Sequence, residues 1–312
     1  MVEYDPKHWT SHLFDIRNSM FHAIIGRILL CVGWSAIVLV FHEYLKKRLG
    51  IDHASIPSTV HSLVGFALGL LLVFRTNTSY DRFWEGRKLW GAITNGSRNL
   101  ARQSSVLLKD DPELMRATVR WTIAWPFAAM HSLRGGSGLG PAALRLPGDE
   151  VTASLASGNV PLDVARRITG HLARARDQGL VSDVLFAHFD QNVQQLIDAL
   201  GGCERIKKTP LPFAYMVHIR RALILYCFTL PFALVESYGP GAIVGTLLVA
   251  YIFFGIEEIG VEIENPFDGD DNDLPLGRIC ATVERDLLGL IGDDARADIA
   301  ETVDLQGKAL GV

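Results

Sequence analysis

Apolar and polar positions divide the chain into long apolar runs separated by amphipathic stretches. The first run extends from about Phe21 to Phe41, close to the roughly 20 residues a helix needs to cross a bilayer. Its single charge, Arg27, lies near one end, where a long side chain can reach the interface. The second run, about Pro57 to Phe74, is rich in Gly, Ala and Leu and holds no charge beyond a titratable His61; this composition suits a helix that packs on other helices. A third run covers about Ala222 to Val235, follows Arg220 and Arg221, and contains Pro231, a kink that membrane helices tolerate. The fourth, about Ala242 to Ile256, comes after the Gly239-Pro240-Gly241 break and forms a helical hairpin with the third. The pattern therefore predicts four membrane spans.

The long middle stretch has a different character. Tyr80 to Leu108 is helical in pattern, and Ala117 to Met130 is apolar and aromatic (Trp121, Trp125) but too short and interrupted for a span. Arg134 to Pro147, with Gly135, Gly136, Gly138, Gly140 and Pro141, reads as a loop. Amphipathic helices are expected over about Pro161–Gln178 and Ser182–Leu200, and Leu274–Leu310 reads as a further cytosolic helix. The expected organisation is an N-terminal cytosolic segment (1–20), a first span pair (21–74), a cytosolic helical domain (75–210), a second span pair (211–262) and a C-terminal cytosolic segment (263–312).

An even number of spans places both termini and the middle domain on one side. Arg75, Arg82, Arg87, Lys88, Lys207, Lys208, Arg220 and Arg221 flank the spans there and mark it as cytoplasmic, against Lys46, Lys47 and Arg48 in the first connecting loop. The polar start, Met1 to Asn18, lacks the pattern of a cleaved signal, so the first run is expected to be kept as a span, and the lack of a transit peptide makes a bacterial inner membrane the expected location. A net charge of -4 and the lack of a basic block give no footprint for nucleic acid. The four cysteines, Cys31, Cys203, Cys227 and Cys280, are scattered without zinc spacing or a disulfide framework. No phosphate-binding loop, nucleophile elbow or His-Glu-x-x-His is present, so the chain is not expected to be an enzyme.

Phe66, Leu70 and Phe74 recur at intervals of four and share one face of the second helix. Around a common axis such residues would form an apolar constriction that gates by dewetting; ordinary helix packing has the same spacing. Asp268, Asp270, Asp271 and Asp273 offer hard oxygen donors suited to calcium, although the EF-hand pattern fails, with Asp273 at the glycine position and Ile279 at the closing glutamate position. Glu257, Glu258, Glu262 and Glu264 crowd the end of the fourth run, and pairing with Arg82, Arg87 or Arg98 is expected. His188 could tune permeation with pH.

The run from Gly65 to Asn99 (GFALGLLLVFRTNTSYDRFWEGRKLWGAITNGSRN) resembles the core signature of the bestrophin family, notably its prokaryotic and plastid branches. GCERIKKTPLPFAY (Gly202 to Tyr215) and ENPFDGDDNDLPL (Glu264 to Leu276) resemble two more family motifs in the right order. The resemblance implies an all-α integral membrane protein with four transmembrane helices and a cytosolic helical domain, assembled as a homopentamer around one central pore. It implies a passive channel for small monovalent ions. Aligned from Arg82, the pore-neck positions are Phe66, Leu70 and Phe74, and a cytosolic aperture maps to Val184. Asp270 and Asp273 fall on acidic positions of the calcium clasp of animal bestrophins, while prokaryotic relatives share the NDLPL form and do not depend on calcium. The expected partners are four further copies, the lipid bilayer and monovalent ions, with calcium as a candidate and no cofactor required. Phenyl edges favour anions such as chloride or bicarbonate, whereas acidic rings favour sodium or potassium. A non-conducting membrane-anchored scaffold is the alternative from another class.

Overall fold

The computed structural model describes residues 20–50, 56–270 and 272–293, whose regular elements are all helices, with no strand among them. The helices are α1 (Phe21–Leu49), α2 (Ser58–Leu107), α3 (Pro112–Leu133), α4 (Gly148–Leu155), α5 (Val160–Asp177), α6 (Asp183–Lys208), α7 (Phe213–Tyr238), α8 (Gly241–Glu262) and α9 (Leu276–Ile291). A short 3-10 helix, Gly140–Arg145, occupies part of the expected loop. The N-terminal segment, Asp271 and the C-terminal half of the expected Leu274–Leu310 helix lie outside the described residues.

Among the described residues, four helices are long and apolar enough to cross a membrane: α1, α2, α7 and α8. Each is longer than its apolar run. Lys46, Lys47 and Arg48, expected in a connecting loop, form the last turn of α1, where cations oppose the negative end of the helix dipole. The change to polar sequence at Arg75 does not end α2, which is 50 residues long in all and runs on to Leu107. Helix formation depends on backbone continuity, and the segment after Phe74 contains no proline to interrupt it.

The chain divides into two compact units. The apolar unit combines the described residues up to Arg82 with Pro210–Glu264. Within it α1, α7 and α8 pack closely on one another, and the core gathers Ile24, Ile28, Leu68, Leu72, Leu223 and Phe254. The start of α2 joins through side chains: His61 Nε2 lies 3.1 Å from the Thr229 hydroxyl, and the Tyr215 hydroxyl donates to the Leu71 carbonyl at 3.3 Å. Gly65 lets the Tyr226 ring approach, since a Cβ there would stand 2.5 Å from its hydroxyl.

The second unit comprises Phe83–Thr209 and the described residues from Asn265 on. Its centre is α3, which packs against α5, α6 and α9. The Ala117–Met130 segment is apolar nearly all round, Arg120 apart, because it is enclosed; Trp121 and Trp125 are fully buried. Asp111 starts α3 by accepting the Leu114 amide at 3.0 Å, with Pro112 in the first turn. Asn159 and Ser182 cap α5 and α6 in the same way. All four cysteines are free and buried, and burial pushes the Cys203 thiol up to about 12.

Candidate pore-lining face

Helix α2 presents two unlike sides within the apolar unit. Leu68, Leu72, Arg75 and Ser79 recur at helical spacing and are buried. Phe66, Leu70 and Phe74 lie on the other side, 72%, 40% and 58% exposed. Only 22% of the most apolar window of α2 is buried within its own chain, against 28% for α1 and α8 and 39% for α7. This span is therefore the one least covered by its own chain.

The buried side ends in a charge cluster. Arg75, 1% exposed, donates to Glu257 Oε1 on α8 at 2.6 Å, and Glu257 is itself 2% exposed. Arg220 Nε on α7 donates to the same oxygen at 3.0 Å, and Arg27 on α1 reaches Oε2 at 3.4 Å and Glu258 at 2.8 Å. One carboxylate thus ties guanidinium groups from three other helices, an arrangement that satisfies charge inside a low-dielectric site. Arg82 Nε donates to the Glu264 backbone carbonyl at 3.0 Å, and the Glu264 carboxylate accepts the Leu211 amide at 2.9 Å.

These partners correct the expected pairing. Glu257 uses Arg75, Arg27 and Arg220 rather than Arg82, Arg87 or Arg98, and Arg98 instead pairs with Asp286. Sequence did carry a signal for Arg75: it follows Leu68 and Leu72 at spacings of seven and three, on the inward side.

Val184 belongs to the other unit. It is 68% exposed in the first turn of α6 and lines a shallow hollow of about 430 Å³ with Asp183, Ala187, His188 and Gln191. Asp270 is exposed and Asp273 buried. Asp273 Oδ2 accepts the amides of Gly269 at 2.6 Å and Asp270 at 2.9 Å. Burial pushes its carboxyl above the usual carboxylate range, and these two amides pull the other way. Asp268 pairs with Lys207 at 3.2 Å. No group of three or more His, Cys, Asp or Glu is arranged to hold a metal among the described residues.

A family model described as bacterial/fungal bestrophin protein matches residues 1–289. A Nostoc relative named as a voltage-dependent anion channel-forming protein is 39% identical over 310 residues, spanning 95% of this chain and 97% of its own. A protein of the same name from Escherichia coli K12 is 34% identical over 289 residues, spanning 92% and 93%. The crystal structure of a bacterial bestrophin homologue from Klebsiella pneumoniae superposes with a TM-score of 0.80 at 33% identity, covering 87% of this chain and 99% of its own. The four apolar spans and this agreement along nearly the whole chain make it a multi-pass membrane protein of the bestrophin family.

Proposed function

We propose that the chain is one subunit of a homopentameric, passive channel for small monovalent ions, with anions such as chloride or bicarbonate preferred. The observation that carries the reading is the exposed Phe66, Leu70 and Phe74 face on the span least covered by its own chain. One helix cannot enclose a pathway, but identical faces arranged around an axis can. Large apolar side chains in such a ring resist wetting and act as a gate without bearing charge. Phenyl edges turned toward the axis favour anions, in keeping with the names of the relatives.

In this reading Phe66, Leu70 and Phe74 form the neck, and Val184 forms a second, cytosolic aperture. The membrane is a bacterial inner membrane with both termini cytoplasmic, on the strength of the flanking Arg and Lys residues. The closed turn at Asp273 supports a loop that holds its shape through backbone amides, without calcium. Family membership favours transport over catalysis.

The test is purified protein in liposomes under chloride and potassium gradients. Flux of at least one ion is expected, carried by a particle of five-subunit mass. Absence of flux under every gradient would overturn the reading in favour of a scaffold. Phe74→Ala should raise conductance several-fold by removing a ring of the constriction, and an unchanged current would remove Phe74 from the neck.

A further inference from the structure

Within the apolar unit, α2 carries three charged side chains: Arg75, Asp81 and Arg82. A helix turns about 100° per residue. With Phe66 at zero, Leu70 falls at about 40° and Phe74 at about 80°, while Asn77 falls at about 20° and Asp81 at about 60°. Arg75 and Arg82 fall at about 180° and 160°. The two cations are on the opposite side, where they meet Glu257 and Glu264. Asp81 lies inside the arc of the three apolar residues, is exposed, and has no ion-pair or hydrogen-bond partner among the described residues. At a rise of about 1.5 Å per residue it stands about 10 Å beyond Phe74 along the axis.

We infer that Asp81 is a specificity-determining residue of this channel: the copies of Asp81 form a ring of carboxylates on the polar side of the neck that draws cations and restrains the preference for anions. The inference rests on the pore reading of the Phe66, Leu70 and Phe74 face. Helical phase makes it follow, because any axis faced by those three residues is faced by Asp81 as well. The inward turn of Arg75 and Arg82 leaves no cation of this helix segment to offset it. A ring of side-chain charge acts on every passing ion through the field it adds to the pathway.

The experiment is the reversal potential of reconstituted channels in asymmetric potassium chloride. Asp81→Asn should raise the ratio of anion to cation permeability at least about fivefold, for five charges about 8 Å from the ion in water and screened over one Debye length. Asp81→Glu should retain the parent ratio. The shift should shrink in about 1 M salt, where the Debye length is about 3 Å. Asp81→Cys gives the same reading on an already assembled channel, since all four native cysteines are buried. A cationic thiosulfonate reagent applied after reconstitution should move the ratio toward anions, and an anionic one should restore it. If charge at this position leaves the ratio unchanged while Phe74→Ala alters the current, the Asp81 assignment falls and the neck stands. If neither substitution has any effect, the pore reading falls and takes Asp81 with it.

Discussion

Glu257 is the residue whose loss should be felt most widely, and the structure sets the size of the effect. In Glu257→Gln the side chain keeps its shape and a carbonyl acceptor but loses its charge. Arg27 and Arg220 are each 45% exposed, so they can turn to water or lipid headgroups at little cost. Arg75 is 1% exposed and cannot. The penalty is therefore that of a buried cation left with the Glu264 carboxylate, 4.0 Å away, as its remaining counterion, toward the lower end of about 3–5 kcal/mol. At about 2–4 °C per kcal/mol for a chain of this order, the thermal midpoint of detergent-solubilised protein should fall by about 6 °C or more. Replacing both partners isolates the cause. Arg75→Met in the Glu257→Gln background removes the orphaned charge, so the double variant should be more stable than Glu257→Gln alone by about 1–3 kcal/mol. A Glu257→Gln midpoint within about 1 °C of the parent would refute the reasoning, as would a double variant whose loss equals the sum of the two singles.

Other consequences are local to the second unit or its acidic loop. Asp163 is 13% exposed; burial raises its carboxyl, but hydrogen bonds from Ser154, Arg166 and Arg167 outweigh this and hold it at about 2, against the usual 3.8. Its contribution, about 2 kcal/mol, is present above about pH 4 and is lost as pH falls toward 2. Asp163→Asn should remove it at pH 7, as read by chemical denaturation. His131 and His171 are held below the ordinary 6.5, chiefly by burial and then by Arg134 and Arg174 respectively. The unfolded chain binds those protons more readily, so stability should decline as pH drops through 6.5; His171→Gln should flatten the decline in a pH series of thermal midpoints. Gly140→Ala should destabilise by more than about 1 kcal/mol, because φ is +58° and the new Cβ would stand 2.4 Å from the Phe127 ring. Midpoints in EGTA and in about 1 mM calcium should coincide, and a rise with calcium would show that the Asp273 turn gathers ligands in solution.

Much of the fold is legible in the sequence because the bilayer imposes one coarse demand, a run of apolar residues long enough to span it. All four runs predict helices at the right places, and the motif resemblance predicts the family. Helix ends are harder to read. The expectation that polarity at Arg75 marks a change is sound for environment but not for backbone, since an α-helix satisfies its own hydrogen bonds in water or lipid alike. For the same reason Ala117–Met130 is ambiguous: an apolar segment enclosed by other helices has the composition of a short span. Only its neighbours, α5, α6 and α9, distinguish the two.

Charge is where sequence alone reaches least far, because spacing gives the direction of a side chain but not its partner. Arg75 stands next to Phe74, and by count of charges it would seem to offset Asp81 a short way along the same helix. Three-dimensional placement separates them. Arg75 is spent on Glu257, contributed by a helix more than 150 residues away in sequence (182 positions separate the two), while Asp81 keeps its charge on the exposed side. The contribution of this helix segment to the field along any axis facing Phe66, Leu70 and Phe74 is therefore set by Asp81, the one of its three charges without a partner among the described residues, and not by the sum over the segment. Net charge of the helix would predict a weakly positive lining from Arg75, Asp81 and Arg82; the pairing pattern predicts a negative one. A measured reversal potential that moves toward anions when Asp81 is neutralised, and stays put when Arg82 is, would separate these two accounts directly.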